Sequence, residues 1–240
     1  MSLHMHSKYI TFDRGQCHGY QSEIDLYSRF VHTHILQNIP AYSDILKEET
    51  KFVEYLSLAK GASTPHSDTS SERSDTIANA VFLNDISLYF LGMTIVSAYN
   101  IWIKQITNHL QTQLEFNNIF TSKSYWQWET IISTLSEYST PAAAIPSFTL
   151  LLELHLIADT ITQGSGESYD ELLASGAPIT AAPSAPLSET FIGTPLLGVR
   201  LYPSRETVHT YISATKDFWE YSYWEQLGPK RFAHTAPPAP

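Results

Sequence analysis

Among the 240 residues are ten histidines, one cysteine and 24 acidic side chains, and their spacing decides what chemistry they could do. The tightest grouping is Glu153, His155 and Asp159. If this stretch is helical, His155 and Asp159 stand four apart and face each other. A carboxylate so placed can orient an imidazole for general base work. No nucleophile shares the segment. An all-α enzyme with a Glu153/His155/Asp159 site is therefore one alternative reading, and a satisfied buried pair or an intersubunit contact fits the same spacing. Two His-x-His pairs occur, His4/His6 and His32/His34. On a strand each pair could share a metal. The pattern around His32 and His34 is helical, which turns the rings about 200° apart. Third and fourth ligands are missing, so no metal site is expected.

Three further motifs give equally little. Ser213 and Lys216 match Ser-x-x-Lys, the nucleophile motif of β-lactamase-type acylases, but Ser-Asp-Asn and Lys-Thr-Gly do not accompany it. Gly164-Ser165-Gly166 begins like a dinucleotide loop, yet no third glycine follows and no strand pattern precedes it. Cys17 adjoins His18, with no remote element that marks it as a nucleophile. No catalytic, cofactor-binding or metal-ligating residue is assigned, no cofactor is expected, and the chain is read as a non-enzyme.

The elements that would position such groups read as helices. Apolar residues at helical spacing predict helices over 22–36, with Ser22 as cap, and over 43–60. A third and longer one is expected over 74–116, with a kink or break near Gly92 or Asn100. Further helices are expected over 122–138, 146–162 and, capped by Ser204, 204–226; a short one runs from Tyr169 to Ala174 and stops at Gly176. The 61–73 stretch is a polar loop. Residues 176–203 form a Pro-rich extended arm, with a short strand over Leu197–Tyr202 as its one concession to sheet. The tail, 229–240, has no core to join. The fold expected is all-α: one helical domain, 1–240, around a long buried central helix, with Pro-rich extended arms and at most a short strand.

Composition sets the outer limits. Charged residues make up only 16% of the chain, too few for a disordered polyelectrolyte. The formal net charge of −10 excludes nucleic-acid binding by global attraction. Residues 61–160 hold three basic side chains (Arg73, Lys104, Lys123) against nine acidic ones, so no backbone-tracking groove is encoded there. Lys230-Arg231 is the only adjacent basic pair. A single cysteine cannot form an intramolecular disulfide, the start MSLHMHSKYITFD lacks the pattern of a secretory signal, and no Asn-x-Ser/Thr sequon occurs. These point to an intracellular location. Eighteen residues from Ile86 to Ile103 carry no formal charge. Ser87, Ser97, Tyr99 and Asn100 interrupt them, so a buried core helix is expected there, not a stable membrane insertion.

The aromatics are the most informative feature. Tyr125, Trp126 and Trp128 form one cluster; Phe218, Trp219, Tyr221, Tyr223 and Trp224 form another. On the last helix they occupy more than one face, which predicts that the helix is covered on more than one side. Tyr and Trp are favoured at protein interfaces, so these eight are the interface candidates. The apolar run Val81–Leu114, its Tyr99-Asn100-Ile101-Trp102 stretch and the aromatic helix Val208–Trp224 resemble in texture the helical capsid proteins of small double-stranded RNA viruses, the partitivirus-like group. The resemblance implies a structural subunit, a coat protein of a virion, in a shell built from dimers that encloses double-stranded RNA without sequence-specific contact. Its partners would be copies of itself and its location the cytoplasm or the virion. An accessory subunit of an organellar or membrane complex, with Ile86–Ile103 against lipid or another subunit, is a further alternative.

Overall fold

The computed structural model describes residues 10–40, 44, 47, 51, 68–119, 126–139, 144–181 and 196–223, excluding the side chains of 68–77, 80, 222 and 223. Among these residues the fold is all-α. Six α-helices are present: α1 (Arg14–Phe30), α2 (Asp68–Phe116), α3 (Trp128–Tyr138), α4 (Phe148–Gln163), α5 (Glu167–Ser175) and α6 (Arg205–Tyr223). A π-helical turn, Val31–Leu36, extends α1, and a 3-10 turn covers Pro178–Thr180. The described part of the 43–60 helix is confined to helical Asp44, Lys47 and Lys51. The rest of that expectation, residues 61–67, 120–125 and 182–195, the tail, and His4 and His6 lie outside the described residues.

Several expectations are corrected. Leu197–Tyr202 is turn and irregular backbone, and no strand occurs among the described residues. The first helix begins eight residues before Ser22, which sits in mid-helix and donates its hydroxyl to the His18 carbonyl at 2.8 Å. The cap is Asp13, whose Oδ1 accepts the backbone N–H groups of Gly15 (2.8 Å) and Gln16 (3.2 Å). The second half of the expected polar loop, Asp68–Arg73, already belongs to α2. That helix runs unbroken through Gly92 and Asn100. Gly92 serves contact instead: a Cβ there would lie 2.8 Å from Leu197 Cδ2 and 3.2 Å from Ile161 Cδ1. Ser147, one residue beyond Pro146, opens α4, its carbonyl accepting the Leu151 N–H at 3.0 Å.

Other ends follow the sequence. Ser204 and Thr207 cap α6 reciprocally: Ser204 Oγ accepts the Thr207 N–H at 3.1 Å, and Thr207 Oγ1 accepts the Ser204 N–H at 2.7 Å. Gly176 ends α5 in the left-handed region (φ 67°), where a side chain would be strained.

The chain packs as two compact units. The first comprises Met1–Arg29, Ile95–Ala158 and His209–Pro240. Its core is a helical stripe along α2 (Ile95, Ala98, Trp102, Ile106, Leu110, Leu114) against Ile24 of α1, Ile131 and Leu135 of α3, Leu151 and Leu154 of α4, and Tyr211, Phe218 and Trp219 of α6, all buried. The second comprises Phe30–Thr94 and Asp159–Val208. Leu91, Leu172, Ile179, Leu197, Val199, Leu201 and Val208 are buried there. The Tyr202 N–H donates to the Ile179 carbonyl at 2.7 Å and ties the segment before α6 to the 3-10 turn. The boundary between units falls within α2, between Thr94 and Ile95.

Candidate functional site

The first unit carries a buried polar layer inside its aromatic core. Gln105 of α2 is 3% exposed, and its amide is fully engaged. Nε2 donates to the Tyr20 carbonyl (3.2 Å) and to Glu23 Oε2 (2.9 Å), while Oε1 accepts the Trp219 indole N–H at 2.9 Å. One turn on, His109 is wholly buried, stacked on Phe12 with ring centroids 4.6 Å apart. Its Nε2–H donates to the Thr11 carbonyl at 3.0 Å, which fixes the tautomer and leaves Nδ1 without a partner among the described residues. Burial outweighs the Thr11 carbonyl and the Asp13 charge and pushes the His109 pKa down to about 4. This imidazole is neutral near pH 7 and sealed from solvent.

Glu153, His155 and Asp159 go to three different partners. Glu153 Oε2 accepts the Tyr211 hydroxyl at 3.2 Å. His155 shares a hydrogen bond with the Tyr99 hydroxyl (Nδ1, 2.9 Å) and lies flat on Trp128, centroids 4.7 Å apart and planes within 9°. Asp159 accepts the Ser168 hydroxyl at 2.5 Å and the Gln163 side-chain amide. Partners on α2, α5 and α6 thus hold the three side chains, and the alternative of a Glu153/His155/Asp159 site gains no geometric support among the described residues. Lys216 is likewise committed, paired with Asp25 at 2.8 Å, so the Ser213-x-x-Lys216 spacing places no lysine at the serine's service. His32 meets Gln37 (3.3 Å) and His34 packs on Phe30 (5.0 Å). Among the described residues no three His, Cys, Asp or Glu side chains are grouped as a metal would require. Cys17 is buried, and burial together with the Asp13 charge pushes its thiol up to about 12, so it stays protonated.

No family model, curated protein or solved structure matches this chain with significant similarity.

The interface candidates separate into groups. Trp128, Phe218 and Trp219 are buried within the first unit, at 8%, 0% and 0% exposure. Phe218 meets Trp102 edge-on (5.3 Å), and Trp219 lies over Tyr20 (4.4 Å) and near His109 (5.7 Å). Their part in the expectation of an intermolecular contact is corrected: α6 is covered on more than one side, but by α1 and α2 of its own chain. Trp126 and Tyr221 are partly exposed, and the Tyr221 hydroxyl donates to the Ala144 carbonyl at 3.1 Å. Tyr125, Trp224 and the Tyr223 side chain lie outside the described residues.

Large apolar side chains stand in solvent at several places among the described residues: Leu26 and Phe30 of α1, Phe116 at the end of α2, Leu173 of α5 and Leu196 are exposed singly or in pairs, and one larger group is continuous. On the first half of α2, Phe82 (57%), Leu83 (42%), Tyr89 (38%) and Phe90 (52%) are exposed, with Ile86 and Met93 half-buried between and after them. Phe82, Ile86, Tyr89 and Met93 are spaced four, three and four apart, the repeat that lets two helices interlock. Sequence reasoning missed this row because it took the whole apolar run as core. The heptad spacing was the available signal. Val81–Phe116 is also long enough to cross a membrane and contains an 18-residue stretch of mean hydropathy 1.5; length and composition alone give that.

Proposed function

We propose that this chain is a structural subunit of a homo-oligomeric assembly, and that it meets a second copy of itself through the Phe82–Met93 row of α2. The observation that carries the reading is that row: apolar side chains at heptad spacing, with Phe82 and Tyr89 in solvent and Ile86 and Met93 half-buried. Scattered exposed apolar residues are ordinary, whereas a contiguous row marks a contact surface. The low charge of the row, with Asp85 as the one charged side chain between Phe82 and Met93, favours a second copy as occupant. Two chains of net charge −10 repel at most of their surfaces, and a seam with a single carboxylate is where that repulsion is weak.

The engagement of Glu153, His155, Asp159 and Lys216 with structural partners supports a non-catalytic role. The finer reading is a coat-protein subunit enclosing double-stranded RNA, supported by the textural resemblance of Val81–Leu114 and Val208–Trp224. An acidic wall suits a stiff duplex that must slide and not be held. Sedimentation velocity over a concentration series tests the assembly. A reversible dimer or larger closed species is the expected result. A species of 27.0 kDa at every concentration overturns it, and so does a chain that stays dispersed only in detergent, which selects the membrane-subunit alternative.

A further inference from the structure

Asp85 is the one charged side chain between Phe82 and Met93, and its place on α2 gives it a part in whatever covers the row. It follows Phe82 by three residues and precedes Tyr89 by four, the spacings of neighbours on a helix surface. Phe82 and Tyr89 are exposed, whereas Asp85 is half-buried. Gly92, seven residues on and so along the same edge of the helix, is closed against Leu197 and Ile161. Asp85 therefore stands where the packed edge of α2 meets the open row. No cation stands beside it. Residues 74–103 contain no lysine or arginine, and among the described residues no ion pair reaches Asp85.

We propose that Asp85 makes the self-contact acid-responsive, so that two copies pair more tightly with its carboxyl protonated than ionised, an inference that rests on the row being where one copy meets another. Covering the row strips water from a carboxylate on its flank, which costs more for the ionised form than for the neutral one. A closed pair of identical surfaces also brings one Asp85 from each copy, and like charges at one contact oppose it. Both effects hold the Asp85 pKa higher in the pair than in the single chain. Pairing then takes up protons, and it strengthens as pH falls from above the paired value towards the single-chain value. In the single chain, burial alone already raises this pKa above the ordinary carboxylate value. Asp159 and Arg200, close in sequence to the Ile161 and Leu197 contacts, do not contribute to that rise, and neither does Tyr89 of α2 itself. Acid also lowers the overall charge of −10, which eases repulsion wherever two copies meet. The two sources are separable, because only the first is lost with Asp85.

Sedimentation equilibrium of the full chain at pH 7.5 and 5.8, in about 0.15 M salt, tests this. The parent dimer is expected to tighten several-fold at the lower pH. Asp85→Asn is expected to pair several-fold more tightly than the parent at pH 7.5 and to lose most of the pH dependence. Asp85→Glu keeps the charge and is expected to keep the dependence. Glu129→Gln removes one exposed carboxylate from α3 and is expected to stay within about twofold of the parent. Circular dichroism at both pH values checks that each variant keeps its helix content. An Asp85→Asn chain that pairs no more tightly than the parent, or is as pH-dependent, overturns the proposal and leaves self-association standing. So does an equal gain from Glu129→Gln. A parent that stays monomeric at both pH values overturns self-association itself, and the acid response with it.

Discussion

Between Ile95 and Leu114, α2 buries Trp102, Gln105, Ile106, His109, Leu110 and Leu114 among α1, α3, α4 and α6. Between Phe82 and Phe90 the same helix leaves four large apolar side chains in solvent. The halves differ in periodicity and in polar content. The second half carries two polar residues one turn apart, Gln105 and His109, and each is matched to a fixed partner. Buried groups of that kind tolerate one arrangement, because an alternative leaves them unpaired in a low dielectric. The first half is simpler, a seam of aromatic and aliphatic side chains that any complementary helix can fill. A segment that specifies a unique interior and one that offers a surface thus share a single helix.

The largest contrast should appear on truncation. Trp219→Ala removes a wholly buried indole and strands the Gln105 carbonyl, and is expected to cost about 3–5 kcal/mol in urea unfolding. Comparable losses on truncating Phe82 in the monomeric state would erase the distinction.

Acid should act on the second half next. His109 takes up a proton near pH 6.5 in the unfolded chain, but only near pH 4 when folded. The unfolded state therefore binds more protons between these values. Stability is fully present above pH 6.5 and falls as pH drops toward 4, by about 3 kcal/mol from this one group. His109→Gln is expected to remove that part of the slope, seen as a smaller change in urea midpoint between pH 7.5 and 4.5 than in the parent. An unchanged slope would place the imidazole in contact with water.

Gly92 probes the second unit. Gly92→Leu must displace Leu197 and Ile161, and a loss of about 1–3 kcal/mol in thermal unfolding is expected. The smallest effect belongs to the exposed row: Phe82→Ser changes the stability of the isolated monomer by about 0.5 kcal/mol or less, read by urea unfolding at high dilution.

Much of the helical architecture was legible because apolar periodicity is a local property. The stripe Val208, Tyr211, Ile212, Thr215, Phe218, Trp219 on α6 is buried as its spacing predicts, and Ser204 caps it. The start of α1 was missed because Gly15, Gln16, His18 and Gly19 carry no apolar stripe; Asp13 was the readable cap signal. The roles of Gln105 and His109 are not local. Their partners, Thr11, Tyr20, Glu23 and Trp219, are distant in sequence, and only the fold brings them within reach. The same gap explains the misassigned tryptophans. Rings on several faces of one helix show that it is covered, whereas the identity of the covering chain is a tertiary fact.

The proposed contact between copies lies in the first half of α2. Tyr89→Cys places a thiol in the exposed row, and the native Cys17 stays silent because it is buried and held protonated. Asn108→Cys places the same probe on an exposed position of the second half. Mild oxidation followed by non-reducing electrophoresis is predicted to convert the Tyr89→Cys protein to a covalent dimer, far faster than the Asn108→Cys protein. Equal cross-linking of the two, or none at Cys-substituted position 89, would contradict the account.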